Sequence, residues 1–334
     1  MNHRTYQHLM QGVTQMVPFM MVAALLMGIS KGLNQLHLNH PIIDRMAQLS
    51  PSLLLMMMPV IAAFIAMSIA EKPGFMMGFV GGLFVLFENS GMMMAILTGF
   101  IAGYITLMMK HLFRKMAPSW NSLKSMVFIP LCVLIVIVPM FYLFVPLFSP
   151  FMLSIERMLS VEKGVVMTVF AGLSAMFMAY DMGGNVNKTM YLLGLISIST
   201  GNATTLMAAV MVGGMVPPLG LYLFGLLDQH RLSKEEKKRT KNGLLLGLSF
   251  VTEGAIFFAQ KNKKATMPSL LMGSLVAGLV VAYFNVKVGL PHGGILVTLF
   301  THVWYGFLIA VLSGTLVTAG MLLIRWKKNI QPDH

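Results

Sequence analysis

Three short stretches set groups that can bond or titrate into otherwise apolar runs. The first, AYDMGGNVNK (179–188), gathers Asp181, Asn185, Asn187 and Lys188 around the pair Gly183-Gly184. The second, SFVTEGAIFFA (249–259), contains Thr252-Glu253-Gly254 and no nearby cation in the run itself. The third, LPHGGI (290–295), holds His292 between a proline and Gly293-Gly294. Asparagine amides both donate and accept, which suits a ligand with many hydroxyls. A carboxylate in apolar surroundings is costly unless it accepts hydrogen bonds, and hydroxyl groups can donate them. Gly254 would let a ligand approach the backbone closely. Each stretch also admits a structural reading. Asp181 and Lys188 can pin a turn as an ion pair, Glu253 can cap a helix end, and His292 can be a satisfied turn residue. A fourth stretch, GGMVPPLG (213–220), carries no chemistry of its own and is expected to kink or hinge a helix.

The elements that must position these groups lie in a membrane. Of 334 residues, 57% are hydrophobic and only 10% charged, too few charges to clothe a water-exposed surface. The net charge of +13 does not point to nucleic acid, because the basic residues cluster in short loops between apolar runs. Cys132, the only cysteine, sits in an apolar run, and no disulfide, CxxC or metal site can be built from it alone. No cofactor or metal is expected, and the 34 methionines read as flexible apolar filler. The N-terminal MNHRTYQH lacks the features of a signal peptide, no lipidation motif is seen, and the Asn-Lys-Thr and Asn-Ala-Thr triplets lie in membrane context.

A span needs about 20 apolar residues. Candidates are 12–33, 51–70, 74–87, 91–109, 125–146, 164–180, 207–227, 267–286 and 301–324, with Glu88 marking a break. The fold expected is an all-α polytopic membrane protein with about nine or ten transmembrane helices. The loop 110–124, the loop 228–242 and the terminal RWKKNI are basic and expected to be cytoplasmic, whereas 147–163 suits the outer side. His302 and Trp304 read as interfacial anchors. The segment 243–260 then has basic flanks at both ends. About 18 residues cannot cross a bilayer twice, so a re-entrant hairpin with Glu253-Gly254 at its tip is expected. A second hairpin near 181–206, turning at Gly183, Gly184 and Gly201, repairs the topology count. Paired broken segments point to a transporter's substrate site.

Together, in this order, AYDMGGNVNK, AAVMVGGMVPPLG, LGLSFVTEGAIFFA and LPHGG resemble the fructose family of membrane permeases, the enzyme IIC component of the bacterial phosphoenolpyruvate-dependent phosphotransferase system (PTS). The upstream MMPVIAAFIAMSIAEKPG, ending at Gly74, echoes the same family, and the similarity runs from near residue 12 to near 325. Asn185 and Phe257 stand where the family pattern has proline, as does the stretch Gln260–Lys264 where it has Asp-Pro. The resemblance implies a glucose/fructose-superfamily IIC fold with two domains. Residues 12–146 would form a scaffold and dimerisation bundle, and 164–325 a sugar-binding transport domain containing both hairpins. It implies a homodimer in the cytoplasmic membrane, with both termini cytoplasmic. A hexose would be held by Glu253, Thr252, Gly254, Asp181, Gly183, Gly184, Asn185, Asn187, Lys188, His292 and Gly293. Its partners would be a cytoplasmic IIB carrying a phosphocysteine, and IIA. With its one cysteine in a span, the chain is expected to be a stand-alone IIC, not catalytic by itself.

In that reading Glu253 orients the reacting hydroxyl and accepts its proton while IIB supplies the phosphoryl group. The alternative is a proton-coupled secondary transporter of a small polar solute, with Asp181 or Glu253 titrating. An intramembrane hydrolase lacks support, since HExxH does not occur and no nucleophile–base pair is evident.

Overall fold

The computed structural model describes residues 3–38, 40–115, 120, 123–159, 164–199 and 202–326. Gly201, residues 327–330 of RWKKNI and parts of the loops 110–124 and 147–163 lie outside them. The described residues are almost wholly helical, with one isolated bridge between Thr204 and Val288. The chain folds as two compact units, Met1–Leu159 and Ser160–His334.

The first unit contains α1 (His3–Gln35), α2 (Pro41–Leu55), α3 (Met57–Phe87), α4 (Gly91–Leu112) and α5 (Ile129–Leu159). Helix α2 starts with Pro41 at its first position, where the missing N–H costs nothing, and His40 caps it through Nδ1. Helix α3 is not a straight rod. At Ala70 and Glu71 the backbone leaves helical values, just before Pro73. Beyond that point Gly74 abuts Ala66, Gly78 abuts Ala62 and Gly82 abuts Pro59. One partner number rises as the other falls, so the halves fold back antiparallel. They are the two arms expected at 51–70 and 74–87, with the first beginning at Met57 because α2 takes up Pro51–Leu55. Glycines let the backbones touch, as small residues do between helices in lipid. Lys110 of α4 secures the bend, donating to the Ala70 carbonyl (3.4 Å) and the Glu71 carboxylate (2.5 Å).

The sequence places the end of the fifth span near 146, followed by an outer loop. Helix α5 instead continues through Pro146 and Pro150 to Leu159. In apolar surroundings each broken turn would strand further backbone groups, so the helix persists despite three internal prolines. Its end delivers a buried carboxylate, since Glu156 accepts a hydrogen bond from the Met93 amide in the first turn of α4 (2.6 Å). A negative group is favoured there by the helix dipole.

The second unit contains α6 (Val165–Met178), α7 (Asn185–Ile198), α8 (Thr205–Leu227), α9 (Lys234–Leu248), α10 (Ile256–Lys261), α11 (Lys263–Tyr283) and α12 (Trp304–Arg325). Helix α8 is its axis, buried on every side from Thr205 to Leu221. The GGMVPPLG stretch lies inside it without ending it. Pro217 has no N–H to offer the Gly213 carbonyl one turn back. That carbonyl accepts instead from the Ser274 hydroxyl of α11 (3.2 Å). Gly213 meets Ala175 of α6, Gly220 meets Thr318 of α12, and Gly225 meets Thr240 of α9.

Among the described residues seven helices are long and apolar enough to cross a membrane: α1, α3, α4, α5, α8, α11 and α12. The expected nine or ten reduce to this number because α3 takes two expected spans into one folded element. In addition, α6 stops at Met178, about 21 Å long, which is short of a bilayer core of about 30 Å. The protein is a multi-pass membrane protein.

Candidate functional site

The segments flagged by their chemistry come together in the second unit, around the middle of α8. Between α6 and α7 the chain turns at Tyr180–Gly184, with Met182 and Gly183 both at positive φ (44° and 102°). Asp181 ends up as a helix cap, its two carboxylate oxygens accepting from the Val186 and Asn187 amides, each at 2.8 Å. This satisfies two otherwise unpaired N–H groups at the start of α7 and places negative charge on its dipole. The Asp181–Lys188 ion pair, one of the two readings of this stretch, is not formed; the Lys188 side chain has no hydrogen bond or ion pair among the described residues. Gly184 packs directly on the Asp181 carboxylate. Asn185 opens α7, is exposed, and receives the Thr189 hydroxyl on its carbonyl (2.8 Å).

The second turn lies between α9 and α10. Helix α9 ends at Leu248, Phe250 adopts a left-handed conformation (φ 61°), and a single 3-10 turn runs from Thr252 to Ala255. A residue with a bulky side chain held at positive φ is strained, and such strain clusters at functional sites. The two turns touch twice. Asn187, buried, donates through Nδ2 to the Met178 carbonyl (2.6 Å) and to the Thr252 hydroxyl (3.4 Å). A Cβ at Gly183 would lie 2.7 Å from Oε1 of Glu253, so only glycine admits that carboxylate. Gly214 of α8 packs under the same turn, against the Phe250 ring and the Thr252 methyl.

Glu253 is exposed, and its side chain makes no hydrogen bond or ion pair among the described residues. It lines a cavity of about 360 Å³ with Arg239, Asn242, Leu246, Gly254, Phe257 and Gln260. That volume falls within the roughly 300–1,000 Å³ typical of small-molecule sites. The neighbours supply two amides, a guanidinium, an aromatic face and a carboxylate, a lining that can bind hydroxyls and accept one proton. No group of three or more His, Cys, Asp or Glu is placed to hold a metal among the described residues.

His292 and Gly293 are elsewhere. The imidazole is buried, edge-on to Phe250 (ring centroids 5.1 Å apart), and its Nδ1 accepts from the Gly293 amide (2.8 Å). Tyr191 of α7 donates to the Pro291 carbonyl (3.0 Å). Gly294, at φ 54°, packs against the Leu248 carbonyl. The LPHGG turn therefore buttresses the back of the Phe250 turn and does not line the cavity around Glu253.

Arg239 and Asn242 are not among the residues expected from the sequence, whereas Gln260 belongs to the stretch Gln260–Lys264 that departs from the family pattern. The sequence reads 228–242 as a solvated loop and 243–260 as the hairpin. Helix α9 instead starts at Lys234. Ser233 and Glu236 form a capping box, with Glu236 accepting from the Ser233 amide (2.6 Å) and Ser233 from the Glu236 amide (3.3 Å). A serine followed three positions on by glutamate is the signal that would have found this start. Glu236 also pairs with Lys261 of α10 at 3.0 Å, joining the two arms. Arg239 stacks on Phe257, its Cζ 4.1 Å from the ring centroid. Phe257, a departure from the family pattern, thus serves as a platform.

No protein-family model matches the chain. It is 35% identical over 277 residues to the fructose permease IIC component of Bacillus amyloliquefaciens, covering 82% of this chain and 90% of that one. To the PTS fructose-specific EIIC component of Haloferax volcanii it is 31% identical, covering 94% and 90%. It is 33% identical to the PTS fructose-specific EIIABC component of Bacillus subtilis over 95% of its own length, and spans about half of that longer protein. The crystal structure of the transporter ChbC, the IIC component of the N,N'-diacetylchitobiose-specific phosphotransferase system, shares the fold at 13% identity. Its TM-score is 0.64, over 97% of this chain and 92% of ChbC. The chain belongs to the fructose family of PTS permease IIC components.

Proposed function

We propose that this protein is the sugar permease of a phosphoenolpyruvate-dependent phosphotransferase system, taking up fructose or a fructose-like hexose and presenting it to a cytoplasmic phospho-IIB. The observation that carries the reading is the unpartnered Glu253 carboxylate in a cavity of hexose scale, at the touching tips of two turns. Sugar hydroxyls supply the donors that this carboxylate lacks. The substrate-contacting residues are Glu253, Gly254 and the backbone at Gly183. Thr252, Asp181, Gly184 and Asn187 hold that geometry, and His292 and Gly293 support it from behind.

In this reading α9–α10 and the turn before α7 are the re-entrant hairpins, and the second unit moves the site across the membrane. The first unit is the scaffold through which two copies pair, with both termini in the cytoplasm. IIA and IIB complete the relay, so the permease is not catalytic alone. Phosphorylation charges the sugar, which prevents its return and makes uptake one-way.

The test uses membrane vesicles carrying the protein, radiolabelled fructose, phosphoenolpyruvate and purified general PTS proteins with IIA and IIB. Fructose phosphate should accumulate inside only when all are present, and an uncoupler should leave the rate unchanged. Uptake abolished by the uncoupler and indifferent to phosphoenolpyruvate would establish the proton-coupled alternative instead.

A further inference from the structure

The cavity that holds Glu253 has a second charged wall. The Cζ of Arg239 lies over the Phe257 ring, 4.1 Å from its centroid, and its Nε and Nη2 reach the same oxygen of Glu235, at 3.0 and 2.9 Å. A guanidinium has five N–H donors, and this arrangement uses one face and one edge of it. The remaining donors are not engaged among the described residues. Lys261 flanks the other part of Phe257, 5.9 Å from its centroid, and is committed to Glu236. One pocket is therefore lined by both a proton acceptor, Glu253, and a planar cation held by its ring contact and by an ion pair. Two amides, of Asn242 and Gln260, line it as well.

Binding a neutral sugar calls for the carboxylate and the amides. A forked, pre-oriented guanidinium matches something else, the paired oxygens of a tetrahedral anion. We infer that Arg239 holds the phosphoryl group during its transfer to the sugar, and that Phe257 is the positioning residue that keeps Arg239 in place. This rests on the permease reading above. The donor is a phosphorylated thiol. Its S–P bond breaks and the electron pair leaves with sulfur as a thiolate. The sugar hydroxyl oxygen forms the new O–P bond, and its proton passes to Glu253 and then to water. Charge on the equatorial oxygens in the transition state falls on the free edge of Arg239, where a fixed donor is most effective.

The test separates binding from transfer, using the full-length protein in lipid vesicles with phosphorylated IIB and radiolabelled fructose. Arg239→Gln should keep equilibrium fructose binding within about twofold and lower the turnover by about a hundredfold or more. Arg239→Lys, which keeps the charge without the fork, should recover part of the loss. Phe257→Leu should lower turnover in the same direction but less, with the fructose KM retained. Fructose binding weakened more than about tenfold in Arg239→Gln would make Arg239 a sugar ligand and overturn the assignment. Unchanged turnover would reduce it to a surface stack. A wild-type protein that transfers no phosphoryl group to any hexose overturns the permease reading as well. An active wild type with an equally active Arg239→Gln overturns the Arg239 assignment alone.

Discussion

Gly183 lies against the carboxylate of Glu253, so closely that a methyl group in place of its hydrogen would come within 2.7 Å of Oε1. The two residues are far apart in sequence and belong to separate turns, each containing a residue at positive φ. The contact makes the first turn part of the wall against which the glutamate is aimed.

Gly183→Ala tests that wall. Alanine at φ 102° is strained and also displaces Glu253. We expect a stability loss of about 1–3 kcal/mol, read as a lower melting temperature in detergent. Fructose affinity should fall at least about tenfold, measured by scintillation proximity binding. Unaltered affinity would show that Glu253 is not aimed by this contact.

Glu253→Ala should behave in the opposite way. The side chain is exposed and bonds to nothing among the described residues, so the melting temperature should stay within the roughly 0.5 kcal/mol scatter of surface substitutions. Fructose binding should be abolished. A variant that binds fructose as the wild type does removes Glu253 from the site.

Asp181→Ala removes two charge-assisted hydrogen bonds from the first turn of α7. The expected cost is about 1–2 kcal/mol of stability. Hydrogen exchange should rise first at Val186 and Asn187, the two amides released. Exchange there as slow as in the wild type would mean that another group has taken over the cap.

Glu236 supplies a pH dependence. Burial alone would raise its carboxyl, but the bonds from Ser233 and Lys261 outweigh it and hold the group below the usual glutamate range. A depressed folded-state value contributes stability above the unfolded value, and this is lost as pH falls through the folded one. The thermal stability of the wild type should therefore fall on acidification below about pH 4.5, the ordinary value. The Glu236→Gln protein should lose less over the same interval. Parallel profiles for the two proteins would assign the acid sensitivity to other groups.

The legible part of this fold was the part written in local pattern. Glu253 stood out because one carboxylate interrupts an apolar run. A turn near Glu253 is suggested by basic residues on both sides of a segment too short to cross twice, and one near Gly183 by the topology count and the diglycine. The bend before Pro73 was visible as a break between two spans. What stayed hidden depends on partners distant in sequence. The two oxygens of Asp181 find amides of the next helix, so an expected ion pair gives way to a cap. The charge balance of 147–163 reads as an outer loop, yet the helix continues through Pro146 and Pro150, because backbone in apolar surroundings has no better alternative. Arg239 was hidden by its neighbours. In a run of lysines and glutamates nothing local marks Arg239 as the cation that lies over an aromatic ring at 4.1 Å.

The bond between Lys261 and Glu236 closes a loop in the chain, with the capping box at one end and the Phe257 stack just inside the other. Residues from Ser233 to Lys261 are thereby tied to one another as well as to α8. Such a segment should open as one unit, so that hydrogen exchange across it rises together and not at single amides.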